Sequence, residues 1–136
     1  MKFAVWVAFT LSIVALGCGS AGGSGAGVQT IAPAEASTLL ERDSSYVFLD
    51  VRTRAEYSGE TGHLRGALLV PVDSLDSRLQ ELTPYRTKTI VTYCRTGPRS
   101  VRAEKFLLQH GFRVVSIAGG ITRWNNEHLP VVKEQP

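Results

Sequence analysis

The sequence predicts one α/β domain with a mainly parallel, five-stranded sheet and helices on both faces. Two observations predict this fold. From Val28 onward, short apolar runs rich in β-branched residues alternate with segments in which apolar residues recur at helical spacing. These runs are brief and uninterrupted, which is typical of parallel strands buried on both faces. The chain of 136 residues suffices for one such domain.

The expected strands and helices follow one another in a regular order. The strands cover residues 29–31, 46–49, 68–70, 89–93 and 114–117. The helices cover residues 33–42, a single turn at 54–58, a segment between Asp73 and Pro84, residues 100–110, and a short stretch after Gly119-Gly120. Asp73 is the expected cap of the third helix, Gly111 ends the fourth, and Trp124 anchors the last one in the core.

The first residues are typical of an export signal rather than of the fold. Lys2 precedes an uncharged, mostly apolar run at 3–16, which is too short for a membrane-spanning helix. Residues 14–18, Val-Ala-Leu-Gly-Cys, resemble a bacterial lipoprotein signal, in which the cysteine becomes the lipid-modified first residue. We therefore expect a signal peptide at 1–17, lipidation of Cys18, and an extracytoplasmic protein that is lipid-anchored to a bacterial membrane. Ordinary secretion and a retained anchor are the alternatives.

A Gly/Ser-rich segment separates this signal from the domain. Residues 18–27 contain too little apolar surface to offset the entropy of ordering, so they are expected to form a flexible tether. The folded domain then covers residues 28–136. The net charge of +3 is mild, and no basic stripe interleaved with aromatic residues indicates a nucleic-acid partner. No His/Cys spacing predicts a metal site, and no cofactor is expected.

Cys94 is the strongest candidate for chemistry. It follows the apolar run at 89–93 and precedes a Gly/Pro-containing loop and a helix, so its thiol is expected under a helix N-terminus. Backbone amides and the helix dipole favour the thiolate there, and Arg95 and Arg99 add positive charge. A buried inert cysteine and a disulfide with Cys18 are the alternatives. Arg102 and Lys105 extend the basic cluster as a solvated helix face.

Five sets of residues together resemble the successive landmarks of a single-domain rhodanese. They are Leu49-Asp50-Val51-Arg52, Glu56-Tyr57, Gly62-His63-Leu64-Arg65-Gly66-Ala67, the loop from Cys94 to Ser100, and Gly119-Gly120-Ile121 through Trp124. Their order and spacing match the family across residues 28–131. The resemblance implies the rhodanese fold and a sulfurtransferase that carries sulfur as a persulfide on Cys94. Its partners would be a small anionic sulfur donor and a thiol or cyanide acceptor, and we expect a monomer.

The resemblance also assigns roles within the loop. Arg95 and Arg99 are expected to bind the anionic donor, although either could face solvent or pair with Glu104. Thr96 and Gly97 are expected to contribute backbone amides. Ser100 is expected to cap the following helix, with its hydroxyl also able to face the loop. Pro98 removes one amide that many relatives have at this position.

Residues outside the loop are expected to support it. Asp50 and Arg52 lie at a strand end, where sites of α/β proteins tend to gather. The resemblance implies that they brace loops, with Glu56 as a partner open to Arg52. His63 is expected to be a hydrogen-bonded structural histidine in its turn rather than a base.

The length of the loop separates two kinds of chemistry. Related cell-cycle phosphatases place five residues between cysteine and arginine, whereas four separate Cys94 from Arg99 and Ser100 stands where the phosphatase arginine would be. A tighter ring of amides suits one sulfane sulfur better than a phosphate. Two other functions remain open: a module that carries or senses reactive sulfur, or binds a partner, without turnover, and a structural lipoprotein that merely retains the fold.

Overall fold

The computed structural model describes residues 27–134. Its five strands form one parallel sheet in the order β1-β5-β4-β2-β3. They are β1 (Thr30–Ile31), β2 (Tyr46–Asp50), β3 (Leu68–Leu69), β4 (Thr89–Tyr93) and β5 (Arg113–Ile117). The predicted fold class is confirmed, and each predicted strand is found with its ends displaced by no more than one residue.

Among the described residues, three α-helices lie between strands and a fourth follows β5. They are α1 (Pro33–Arg42), α2 (Arg54–Tyr57), α3 (Pro98–Gln109) and α4 (Gly120–Asn126). Helix α3 begins two residues before the predicted start, because the fixed φ of Pro98 suits a first helical turn and Gly97 supplies a cap with a φ of 135°. The prediction that Ser100 is the helix cap is therefore wrong, since Ser100 lies inside the first turn.

The helix predicted between Asp73 and Pro84 is also wrong. This segment forms two 3₁₀ pieces, Val72–Ser74 and Leu79–Tyr85, and Pro84 lies inside the second. A serine side chain competes for backbone groups here, since the Ser77 hydroxyl donates to the Ser74 carbonyl. Asp73 caps nothing, because its carboxylate pairs with Arg102 on the protein surface.

The core has two layers, one on each face of the sheet. The layer beneath α3 includes the buried residues Leu49, Ile90, Ala103 and Leu107. The layer beneath α1 and α4 includes Ala36, Phe48, Val91 and Trp124. Neighbouring residues of β2 and β4 thus face opposite layers, as the two-residue period of a strand requires. The prediction of helices on both faces is confirmed.

The predicted signal peptide, Cys18 and the tether up to residue 26 lie outside the described residues. Within residues 27–134, no helix combines the length and the apolar character that crossing a membrane would require.

Candidate active site

Cys94 lies directly after β4, at the carboxyl edge of the sheet, in the loop that leads to α3. The residue is buried, with 1% of its surface exposed, and it belongs to the same apolar cluster as Val51 and Ala103. An environment made only of hydrocarbon would suppress ionisation of the thiol. The reactivity of Cys94 therefore depends on which polar groups face its sulfur.

Backbone amides of the loop are directed at the sulfur. The Gly97 N–H donates to Cys94 Sγ over 3.1 Å. Burial raises the pKa of the thiol, but hydrogen bonds from the backbone and hydroxyl of Ser100 and from the amides of Gly97 and Thr96 outweigh burial and lower that pKa below its usual value. The loop thus stabilises a thiolate mainly with uncharged donors.

Ser100 has a second role in this loop. Its hydroxyl donates to the Gly97 carbonyl over 2.7 Å and lies 3.7 Å from Cys94 Sγ. In the thiol form, the S–H can donate to the hydroxyl oxygen. When the thiol ionises, rotation of the hydroxyl proton away from Gly97 can provide a donor to the sulfur. Ser100 therefore serves both protonation states.

The first turn of α4 holds the loop from the other side. Its Ile121 and Thr122 amides donate to the carbonyls of Cys94 and Arg95 over 2.9 and 3.0 Å. A Cβ at Gly120 would lie only 2.5 Å from the Cys94 carbonyl oxygen, so no larger residue fits without displacement. With these carbonyls turned toward α4, the loop amides are free to face the sulfur. This close approach of backbone to backbone explains why the predicted Gly119-Gly120 turn needs glycine at position 120.

Arg99 does not pair with Glu104, the alternative partner predicted from the sequence. Glu104 is buried and accepts hydrogen bonds from Ser116 and from the Gln29 amide. The two terminal nitrogens of Arg99 instead donate to the two carboxylate oxygens of Glu56 over 2.7 and 2.6 Å. Arg99 thus links the loop to α2 in a two-pronged ion pair.

Arg95 and Thr96 lie on the exposed outer side of the loop. Within residues 27–134, the Arg95 side chain forms no hydrogen bond or ion pair. It lines a cavity of about 260 Å³ together with Arg52, Ala55, Glu56, Gly59, Glu60 and Thr61. Arg95 is therefore the cation next to Cys94 that remains available for an anionic molecule.

Asp50 and Arg52 form a buried ion pair beside the loop, with 0% and 1% of their side chains exposed. The predicted alternative of an Arg52–Glu56 pair is wrong, since the Arg52 Nη2 donates to Asp50 Oδ2 over 2.6 Å and its Nε is shared between the two carboxylate oxygens at 3.0 and 3.1 Å. Its remaining bonds go to the Thr61 hydroxyl and the Gly62 carbonyl. Burial opposes the charge of Arg52, but the bonds to Asp50 prevail and raise its pKa. These bonds tie the end of β2 to the segment at 61–62, which fits the predicted bracing role.

His63 and Trp124 have the structural roles predicted for them. The His63 ring stacks on Tyr57 with centroids 3.7 Å apart, and its Nδ1 lies 3.0 Å from the Tyr57 carbonyl oxygen. Trp124 is fully buried and donates its indole N–H to the Pro130 carbonyl. Neither is directed at the sulfur.

Two residues of the site were missed as functional candidates in the sequence. Glu56 follows Thr53 by three residues, and this spacing is the signature of a capping box, which the structure contains at α2. Tyr93, next to Cys94, is buried and accepts a hydrogen bond from the Leu64 amide, and burial raises its pKa. No local pattern distinguishes Tyr93 from an ordinary strand residue.

The fold and the site together define a class of protein: a parallel α/β domain that presents a thiolate-favouring cysteine at the start of a helix. Comparison with known families gives this class its name. Residues 32–127 match the rhodanese-like domain, and the chain belongs to that family.

Several relatives support the assignment. A sulfurtransferase from Allochromatium vinosum is 34% identical over 97 residues, which are 71% of this chain and 87% of the relative. A tRNA uridine(34) hydroxylase from Cronobacter sakazakii is 36% identical over 107 residues, 72% of this chain but 30% of the relative. A solved rhodanese-related protein from Thermoplasma volcanium is 33% identical, with a TM-score of 0.68 over 78% of this chain and 99% of that chain. The same domain thus occurs alone and within larger proteins.

Proposed function

We propose that the protein is a rhodanese-type sulfurtransferase that moves a sulfane sulfur from thiosulfate, or a similar small anion, to a nucleophilic acceptor. The loop carries this proposal, because it lowers the pKa of Cys94 with donors from Thr96, Gly97 and Ser100 although the residue is buried. The thiolate, rather than the thiol, is the form that attacks sulfur, so a lowered pKa increases the reactive fraction. Similarity to the Allochromatium vinosum sulfurtransferase supports the same class of reaction.

The transfer consists of two displacements. In the first, the Cys94 thiolate attacks the outer sulfur of thiosulfate, the sulfur–sulfur bond of the donor breaks, and sulfite leaves with its electron pair. In the second, a thiolate or cyanide attacks the terminal sulfur of the persulfide and the Cys94 thiolate is regenerated. Cyanide would yield thiocyanate. Neither step changes the total charge, and the route through a covalent intermediate predicts ping-pong kinetics.

The residues of the loop divide the work between them. Arg95 supplies the available positive charge for the donor, and the guanidinium suits the oxygens of a sulfonate-like group. The amides that lower the pKa of the thiol also stabilise the terminal charge of the persulfide. Asp50 and Arg52 hold the neighbouring strand end in place without contacting the sulfur.

The burial of Cys94 favours a second candidate function. A residue with 1% exposure reacts slowly unless the loop opens, so a module that carries or senses sulfur without turnover fits this observation. A thiosulfate:cyanide assay with mass spectrometry distinguishes the two. We expect thiocyanate from the wild type and none from Cys94→Ala. A persulfide on Cys94 without thiocyanate would support the second candidate, and the absence of both would contradict transfer through this residue.

We also propose that the protein is lipid-anchored at Cys18. The similarity of residues 14–18 to a lipoprotein signal supports this location. Labelling with a fatty acid should tag the wild type but not Cys18→Ser, and equal labelling would contradict the anchor.

A further inference from the structure

Arg99 occupies a place where a positive charge is unfavourable by itself. It is the second residue of the twelve-residue helix α3, at the end where the helix dipole and unpaired amides are already positive. About one third of its side chain is exposed, and both terminal nitrogens bind Glu56. The carboxylate of Glu56 therefore offsets a charge that the fold places next to Cys94.

Glu56 is fixed as firmly as its partner. Its Oε2 atom accepts hydrogen bonds from the Thr53 amide and hydroxyl, each over 3.1 Å, within the capping box of α2. The hydrogen bonds from Arg99 are the largest of the contributions that lower the pKa of Glu56 to about 2. The carboxylate is thus charged and held in one position at neutral pH.

The charge of Arg99 is coupled to that of Cys94. Hydrogen bonds to Glu56 are the main cause that raises the pKa of Arg99, and the Cys94 thiolate is among the smaller ones. Arg99 directly precedes Ser100, whose hydroxyl lies 3.7 Å from Cys94 Sγ, so the two charges are close neighbours. Their interaction is mutual, and the charge of Arg99 therefore favours the thiolate. Glu56, the opposite charge attached to the same guanidinium, must weaken that stabilisation.

We infer that Glu56 is a positioning residue that sets how much of the Arg99 charge the sulfur and its anionic donor experience. The inference rests on the proposed sulfur transfer and deepens it, since the sequence offered Glu56 only as a partner of Arg52 and not of Arg99. It implies that the two members of one ion pair act on Cys94 with opposite signs. A purely structural pair, by contrast, would affect the loop in the same way whichever partner were lost.

A set of three variants tests this difference: Glu56→Gln, Arg99→Gln and the double variant. Each is made in the full chain with Cys18→Ser, so that Cys94 is the only thiol. The pKa of Cys94 is measured from the pH dependence of alkylation by iodoacetamide, an uncharged reagent. The other charged groups beside the loop include Arg95, Asp50, Arg52 and Glu60, and they stay unchanged throughout.

We expect Glu56→Gln to lower the pKa of Cys94, because the Arg99 charge is no longer offset. For the same reason, the KM for thiosulfate should fall about threefold. Arg99→Gln should raise the pKa and raise the KM about threefold, because Glu56 is left as a lone anion. The double variant should return both close to the wild type. Shifts of both single variants in the same direction, or no shift, would overturn the inference.

The alkylation measurement needs no turnover. If the wild type forms no thiocyanate while the pKa shifts have opposite signs, the proposed function fails and the charge-setting role of Glu56 stands. If thiocyanate forms while the pKa shifts agree in sign, the reverse holds.

Discussion

The carboxyl ends of β2 and β4 lie side by side in the sheet, since Asp50 pairs with Tyr93, yet the two ends hold charge differently. At the end of β2, Asp50 and Arg52 are full charges of opposite sign that satisfy one another in complete burial. At the end of β4, the Cys94 sulfur is surrounded by partial charges from peptide N–H groups and a hydroxyl. One end is closed by an ion pair and the other stabilises a single anion.

This difference separates support from reactivity. A counter-ion in direct contact with the sulfur would occupy the space that a donor anion needs and would compete with the donor for the thiolate. Amides stabilise the thiolate without a mobile side chain in the way, and they remain in place while the charge passes to the persulfide. The buried Asp50–Arg52 pair next to them is held by its own ion pair and by bonds to Thr61 and Gly62, so its contribution is rigidity.

The largest expected effect is a difference in the free energy of unfolding between substitutions at the two strand ends. Asp50→Asn leaves the buried Arg52 guanidinium without its carboxylate, and removal of one partner of a buried pair costs about 3–5 kcal/mol. Cys94→Ser keeps the size and the amides of the other end and should cost no more than about 1 kcal/mol. Denaturant unfolding followed by circular dichroism measures both. Equal costs for the two variants would contradict the division into a supporting and a reactive end.

The second effect concerns the α4 turn that holds the loop. Gly120→Ala would place a Cβ 2.5 Å from the Cys94 carbonyl oxygen, which must shift and carry the loop amides with it. We expect a higher pKa of Cys94 and a loss of at least about tenfold in kcat/KM, equivalent to about 1.4 kcal/mol.

Gly66→Ala is the matched control for this substitution. Gly66 has a φ of +71°, comparable with +58° at Gly120, but no atom lies within 4 Å of its added Cβ. The control should lower the free energy of unfolding by about 1–2 kcal/mol, because alanine is unfavourable at a positive φ. It should leave the pKa of Cys94 unchanged. If both variants raised the pKa equally, the contact between α4 and the loop would not be what orients the amides.

The sequence predicts the features of this comparison that depend on neighbouring residues. The run that contains β4, Cys94 and α3 is contiguous, so a strand end, a cysteine and a helix start could be read from local patterns alone. The ends of the other strands were equally predictable, because short apolar runs and turn signals define them locally. The prediction of a helix between Asp73 and Pro84 is wrong because leucine spacing alone does not show that the Ser77 hydroxyl competes for backbone carbonyls.

Partners that are distant in sequence could not be predicted in the same way. Arg99 was expected to bind donor, to face solvent or to pair with Glu104, yet its partner Glu56 is 43 residues away. The Glu104 side chain is directed into the core toward Ser116, which depends on how α3 packs against β5. The packing of the sheet brings α2 beside the first turn of α3. The spacing of residues in the sequence does not indicate which carboxylate lies next to Arg99.

The smallest expected effect tests how the amides and the Ser100 hydroxyl share the stabilisation of the thiolate. Ser100→Ala removes the hydroxyl, which lies 3.7 Å from Cys94 Sγ, but keeps the backbone N–H of residue 100 and the amides of Thr96 and Gly97. The lost hydrogen bond lowered the pKa of Cys94, so that pKa should rise, and less thiolate should be present at any pH below it. Alkylation at neutral pH should therefore slow modestly, whereas the maximal rate at high pH should stay the same. A complete loss of reactivity would show that the hydroxyl rather than the peptide amides governs the sulfur, and a pKa that falls would contradict any stabilisation of the thiolate by the hydroxyl.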